Sequence, residues 1–412
     1  MIITSPLILT LRSDSELARN GAIAIERGTI LAVGPRDMVI RKYPRHHIYS
    51  FPNAALMPGL VNAHTHLELP LMIRPSRTEN YAHWVLRLLR AKSRLSRENL
   101  RYAVTENIET LITSGTTTVA EICTHGISPD ILRKSGMRTV VYFEIIAMQP
   151  TGWEKAVPAF PAWRSGLVHF GLSPHTPHTV SKAVLTYVRD RARRNALPLC
   201  MHIAETADEL MLLRGKPGSL DTLYRAAGWQ RAWAPLADSA FRYLDGLRIL
   251  GKRFLAVHAV HTDDADIAVI KRSGTGIAHC PRSNRELSRG KMPLKKFLDA
   301  RIPVGIGTDS LASAPSLNLW EEMRFAHQIH RRSGITPEDI IHLATLGGAR
   351  ALGMDHEIGS LEPGKKADII AVPLPRKNTG DLYSDLLRET KSCIMSMVNG
   401  KIIYHPNNSE RT

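Results

Sequence analysis

Cysteine is scarce here: four in 412 residues, at Cys123, Cys200, Cys280 and Cys393. They lie far apart, which excludes a disulfide-stapled fold and leaves the buried, reduced thiols of a cytosolic enzyme. No apolar run reaches the ~18 residues that a membrane helix needs. The stretch from Met1 to Glu16 has no basic start ahead of its short apolar segment, so no signal peptide is expected and the location is read as cytoplasmic. There is no low-complexity segment, and no repeat of 20–50 residues beyond an alternation of strands and helices. Acidic residues are outnumbered, with 38 Asp+Glu against 54 Lys+Arg and a net charge of +16. The basic residues are spread out: Arg87, Arg90, Arg94, Arg97 and Arg101 recur at helical spacing. They read as solvated helix faces, no nucleic-acid recognition motif accompanies them, and an anionic small substrate is the secondary meaning of the charge. Hydrophobic residues make up 43% and charged residues 22%, which excludes a mostly disordered chain.

What the chain does have is Met57-Pro58-Gly59-Leu60-Val61-Asn62-Ala63-His64-Thr65-His66, a short apolar stretch ending in two histidines one residue apart. On a strand, residues i and i+2 share a face, so His64 and His66 can grip one metal ion. Imidazole suits zinc or ferrous iron. A bare His-x-His would more often be an ordinary surface pair, so the partners downstream decide the matter. The runs 198–205, 254–261 and 303–310 are also apolar, and they end in His202 and Glu205, in His258 and His261, and in Asp309. Short apolar runs of this kind are compatible with buried parallel strands.

Four more β-rich runs, at 116–123, 138–145, 168–175 and 275–281, bring the strands to eight. Segments such as Glu98–Ser114 and Lys182–Ala196 read as connecting helices. Eight alternating units predict an α/β fold, a TIM (β/α)8 barrel with its chemistry at the C-terminal strand ends. The surplus length lies at the termini, and both are rich in short β signals. Neither can bury a good core alone, so one small β-sandwich built from both is expected. The expected division is 1–55 and 361–412 for that sandwich and 56–360 for the catalytic barrel.

These residues resemble the amidohydrolase superfamily. The resemblance is carried by Met57–His66, by the His-Ile-Ala-Glu of 202–205 and by His258. It continues through His279-Cys280-Pro281-Arg282-Ser283-Asn284, Gly307-Thr308-Asp309-Ser310 and the closing 361–368, and it covers essentially the whole chain. More narrowly, the chain is similar to the branch of aminohydrolases acting on purines and related heterocycles. The resemblance implies one divalent ion, Zn2+ or Fe2+, held by His64, His66, His202 and Asp309 with a position left for water. It implies that Glu205 takes a proton from the activated water and delivers it to the substrate ring and leaving group. Asp309 would also accept a proton, and His258 would orient the attacking oxygen or the carbon under attack. The fourth strand has no lysine, so the two-metal site of other members, bridged by a modified lysine, is not expected. No second cysteine follows Cys280 at the spacing of the zinc cytidine-type deaminases, which excludes that fold.

For substrate contacts, the resemblance points to His175, with a packing role as the rival. Arg282, Ser283 and Asn284 are placed in a loop that can line the pocket. His261 and His279 are read as structural. Glu68 continues the alternation of His64 and His66, so it is expected to face the pocket. The other reading is a carboxylate that orients a metal-binding histidine. His-x-His-Leu-Glu resembles a subgroup associated with 6-amino-6-deoxyfutalosine, an adenine nucleoside analogue on a menaquinone route. The segments 115–121, 138–150 and 311–313 look like that subgroup too. Its substrate carries a carboxylate, for which Arg74, Arg77, Arg87 and Arg282 are candidates. The expected activity is therefore metal-dependent hydrolytic deamination of an adenine nucleoside. Alternatives are a methylthioadenosine/adenosylhomocysteine deaminase, a guanine deaminase, or a triazine-type hydrolase with another leaving group. A barrel kept only as an interaction scaffold would be expected to lose ligands, and none is missing. The only partner expected is a small heterocyclic substrate, with no nucleic acid and no membrane, and the assembly left open is a homodimer.

Overall fold

The computed structural model describes residues 1–12, 17–69, 80–149, 152, 155, 159–161, 163, 165–230, 232, 234–376 and 379–406. Eight strands form the barrel: β1 (Leu60–Thr65), β2 (Thr116–Cys123), β3 (Arg138–Ile145), β4 (Val168–Pro174), β5 (Leu199–Ile203), β6 (Phe254–His258), β7 (Gly276–His279) and β8 (Val304–Ile306). Each pairs in parallel with its neighbour in sequence. The ring is completed where Thr308 and Asp309 donate their amides to the His64 carbonyl, at 3.0 and 3.1 Å. The eight expected strands are all present, with ends shifted by a few residues.

The strands read as continuous apolar runs because both of their faces are covered. Inward-facing Val61, Ala63, Ala120, Ile122, Cys200 and Ala278 share a core with Ala349, Ala351 and Met354. The opposite faces pack on helices such as Arg97–Thr113 and Lys182–Arg194 through Val104, Ile108, Val184 and Val188. Those two helices begin where Ser96 and Ser181 accept hydrogen bonds from the amides of Asn99 and Val184, satisfying otherwise orphaned donors. Gly307 is required by space, since a Cβ there would lie 2.9 Å from both Cβ and O of His64 and 3.0 Å from the Cys280 sulfur. The chain can turn from β8 to Asp309 beside His64 only without that atom. All four cysteines are free and buried.

The β structure of the two termini forms one eight-stranded sheet. Its path runs Lys401–Tyr404, Met395–Val398, Ile369–Pro373, Ala54–Pro58, Ile2–Leu9, Leu17–Glu26 and Thr29–Pro35, with Ile48–Ser50 beside Ile2–Leu9. Ile3, Ile8 and Ile23 from one end of the chain share a core with Ile369, Met395 and Met397 from the other. Leu7, Leu9 and Met57 instead join the apolar layer that packs the barrel strands on their helices. A buried ion pair fastens the two parts. Arg138, which opens β3, donates from Nε and Nη2 to the two oxygens of Asp368, at 2.7 and 3.1 Å. Among the described residues, no helix is long and apolar enough to cross a membrane.

Candidate metal centre and pocket

His64 and His66 leave the end of β1, His202 lies on β5, and all three are buried. Their ring nitrogens converge within 4.8 Å of one another. The Nε2 atoms of His66 and His202 face each other at 3.2 Å. Burial, followed by the neighbouring imidazoles of His175 and His66, pushes His202 down to about 3. Burial likewise lowers His64 and His66. Two neutral imidazoles facing each other through Nε2 either share a proton or, with both lone pairs turned inward, share a cation. Two nitrogens on one tetrahedral zinc, each at ~2.1 Å, would sit about 3.4 Å apart. His64 Nε2 is buried without a hydrogen-bond partner. The donor set therefore fits a divalent ion.

Asp309 joins the cluster from the turn after β8, with Oδ1 3.7 Å from His66 Nε2 and 4.0 Å from His64 Nε2. Its φ is +57°, a left-handed conformation that is rare outside glycine, and three further such positions stand at strand ends: Ala204, His258 and Ala259. Ser283 Oγ donates to Asp309 Oδ2 at 2.5 Å. Burial would raise the Asp309 carboxyl, but His66, His258, His64 and the Arg289 guanidinium outweigh it and hold it well below the usual range.

Glu205 lies three residues beyond His202. Its Oε1 is 2.8 Å from His258 Nε2 and in direct contact with Arg289 Nη1, while Tyr81 OH donates to Oε2 at 3.4 Å. Burial would raise this carboxyl too, yet Arg289 and His258 prevail and it stays well below the ordinary value. The backbone of the turn is fixed by Glu209, which accepts from the amides of Ala204 and Glu205 at 3.0 and 3.1 Å. His258 Nδ1 lies 2.8 Å from Asn284 Oδ1, a contact that orients the ring and turns Nε2 toward Glu205.

A cavity of about 340 Å³ opens onto this cluster. His66, His202, Glu205, His258 and Asp309 line it at the metal end, and Trp84, Leu88, Leu89, Ile146 and Trp229 form apolar walls. His175 lines it as well, with Nδ1 3.0 Å from Thr179 Oγ1.

Two expected contacts are corrected. Glu68 does not line the cavity. The alternation stops after Thr65, the chain turns at Leu67 and Glu68, and the Glu68 carboxyl points under the loop that follows β2. There it accepts from the amides of Thr124, His125, Ile127 and Ser128. Arg282 does not line the cavity either, because its guanidinium is held by Glu321 at 2.6 Å and by Glu322 at 3.7 Å. Arg87 lines no part of it, and Arg74 and Arg77 lie outside the described residues. His279 is turned to His330, with their Nε2 atoms 3.1 Å apart. Ser283 and Asn284 act through Asp309 and His258 and are not wall residues.

Sequence reasoning missed Arg289, Tyr81 and Lys92 and left the role of Glu144 open; all four line the cavity. Arg289 is buried, with Tyr81 and Trp84 stacked against its guanidinium at 5.2 and 6.0 Å. Among 54 basic residues it carried no distinguishing signal. Lys92 makes no ion pair among the described residues. Glu144 ends β3 just inside a segment that the sequence had marked only by its resemblance.

Comparison with known proteins follows the same lines. The family model described as the amidohydrolase family matches residues 55–403. A protein of Pelotomaculum thermopropionicum named 5-methylthioadenosine/S-adenosylhomocysteine deaminase is 30% identical, over 98% of this chain and 93% of that one. The crystal structure of an adenosine deaminase from Xanthomonas campestris with bound zinc has a TM-score of 0.80 at 26% identity, covering 97% of this chain and 92% of that one. An aminofutalosine deaminase of Helicobacter pylori in complex with methylthio-coformycin superposes with a TM-score of 0.86. At 23% identity, over 98% of this chain and all of that one, it speaks for the fold alone.

Proposed function

From the premise that this chain belongs to the amidohydrolase family, we propose that it is a metal-dependent deaminase that replaces the 6-amino group of an adenine nucleoside by a carbonyl, with 6-amino-6-deoxyfutalosine as the leading substrate. The observation that carries the reaction is the Glu205 carboxyl, placed in the same cavity as three converging histidines and 2.8 Å from His258. A divalent ion held by His64, His66, His202 and Asp309 supplies Lewis-acid activation of water and a template for the ring.

The remaining work falls to the protein's own side chains. Glu205 accepts the first proton of the attacking water, since Arg289 and His258 keep it as the anion in the resting site. It then returns that proton to a ring nitrogen as the C6–O bond forms. Asp309, steadied by Ser283, takes the second proton and passes it to the departing amine. The amine leaves as ammonia and the ring recovers its conjugation as the 6-oxo product. His258, oriented by Asn284, fixes the attacked carbon. The apolar walls of Trp84 and Trp229 exclude bulk water and offer faces for a flat heterocycle.

The choice of nucleoside no longer draws on Glu68. It is supported by the resemblance of 115–121, 138–150 and 311–313 and by Lys92, a pocket-lining cation suited to the carboxylate of that substrate. The test is competition. Equal concentrations of aminodeoxyfutalosine, methylthioadenosine and guanine are given to the zinc-loaded protein, and each product is followed over time. Aminodeoxyfutalosine should be consumed first. Guanine consumed first, with both nucleosides untouched, would overturn the nucleoside reading and leave the mechanism standing.

A further inference from the structure

One half-buried acidic group in the pocket has no part in the proton transfers above. Glu144 ends β3, half-buried, and lines the same cavity as His175 and Lys92. Thr124 Oγ1, at the end of β2, donates to its Oε2 at 2.9 Å, and among the described residues this is its one hydrogen-bond donor. A carboxylate can accept about four hydrogen bonds through its two oxygens. Glu144 therefore keeps acceptor capacity on the cavity side.

The surroundings decide what kind of donor it would take. Burial alone would push Glu144 up, but His175, Lys92 and His66 with the Thr124 hydroxyl bring it down to about 2, so it is an anion throughout the working pH range. A ligand ammonium or guanidinium would meet Lys92 as a like charge, whereas a neutral O–H donor meets no such penalty. Ile146, Leu88 and Leu89 line the same cavity and offer no acceptor side chain. An anion with two adjacent acceptor oxygens at the cavity wall suits a pair of neighbouring hydroxyls, because each desolvated hydroxyl must find a partner.

We propose that Glu144 is a hydroxyl-binding subsite that takes the adjacent hydroxyls of a sugar, which makes this a pocket for a nucleoside and not for a free base. The proposal deepens the deaminase reading and rests on it for the placement of the ring at the metal end. Thr124 is its positioning residue, holding the carboxylate through its hydroxyl.

Two readouts separate the subsite from the reaction. In the first, inosine, 2′,3′-dideoxyinosine and hypoxanthine are titrated into the zinc-loaded protein, following the fluorescence of Trp84 and Trp229 in the pocket wall. Inosine should bind at least about 10-fold more tightly than its dideoxy counterpart, and Glu144→Gln should weaken inosine about 10- to 100-fold while leaving dideoxyinosine within a few-fold. Equal affinity of the unaltered protein for the two nucleosides overturns the subsite without recourse to any variant. So does a Glu144→Gln effect of the same size on both. In the second, ammonia release from adenosine and 2′,3′-dideoxyadenosine is compared. Hydroxyl-dependent binding with no ammonia from either nucleoside, nor from aminodeoxyfutalosine or methylthioadenosine, keeps the subsite and overturns the deaminase reading. Ammonia from both at equal kcat/KM, insensitive to Glu144→Gln, does the reverse.

Discussion

At the scale of single residues, Glu205 and Glu68 show how one residue type is put to different uses by its neighbours. Glu205 meets an imidazole and a guanidinium in an open cavity, and its anion is available to take a proton. Glu205→Gln preserves the shape and removes the titratable group. It should retain zinc by elemental analysis and lose about 10²-fold or more in kcat. Turnover within a few-fold of the unaltered protein would refute the assignment. Glu68 meets four backbone amides and no cavity. Glu68→Ala would orphan those donors, two of which, at Ile127 and Ser128, are fully buried. At ~1–3 kcal/mol for each buried donor, the loss should be roughly 2–6 kcal/mol of stability. The fraction that folds should keep its KM, and the measurements are urea titration and steady-state kinetics. An unchanged midpoint with a KM raised tenfold would restore the substrate-binding reading.

At the scale of elements, the strands set the direction of the chemistry and one ion pair sets how the two sheets meet. Every member of the metal cluster comes from a C-terminal strand end, and the left-handed residues Ala204, His258 and Asp309 turn the chain there. At the other end of β3, Arg138 and Asp368 are both nearly inaccessible to solvent, and Asp368 Oδ1 also accepts from the Asn399 amide at 2.8 Å. Removing Asp368 leaves the buried Arg138 charge with only Glu357, 3.5 Å away, a loss of up to about 3–5 kcal/mol. Asp368→Ala should therefore lower the thermal midpoint by several degrees, while Arg138→Met with Asp368→Leu, which removes both charges, should recover most of the loss. A double variant no more stable than the single one would show that the pair itself, and not the orphaned charge, matters.

At the scale of the whole molecule, the terminal sheet and the barrel share a core. Leu7, Leu9 and Leu11 from one end of the chain and Ile370, Val372, Leu386 and Leu387 from the other lie in the same cluster as the barrel helices. Unfolding should therefore occur in one transition, coincident by far-UV circular dichroism and tryptophan fluorescence. Two separated transitions would show that the sheet is an independent unit. The metal adds to this stability by mass action: an ion bound only by the folded state raises the midpoint by an amount that grows with RT ln(1 + [L]/Kd). Chelation should lower the midpoint and zinc should restore it, and in His202→Ala added zinc should have little effect. A full zinc response in that variant would remove His202 from the ligand set.

The sequence by itself determined whatever is written in period and spacing. Parallel strands buried on both faces leave continuous apolar runs, so eight strands could be counted. A polar residue that ends such a run must stand at the strand's C-terminal edge, so His64, His202, Glu205, His258 and Asp309 could be assigned to one rim before any contact was known. Tertiary structure alone decided what depends on a turn or on distance along the chain. The alternation that carried His64 and His66 failed at Glu68, because two turn residues re-aimed its side chain. Arg289 reaches Glu205 across 84 positions of sequence, and no local pattern encodes such a meeting. Arg282, seven residues earlier on the short helix Pro281–Glu286, is claimed by Glu321 and Glu322 from a later helix. Glu144 and Thr124 come together because β2 and β3 are neighbours in the barrel. Local periodicity fixes the face and the strand end on which a side chain stands, but what it meets there is set by chain segments brought near only when the barrel closes.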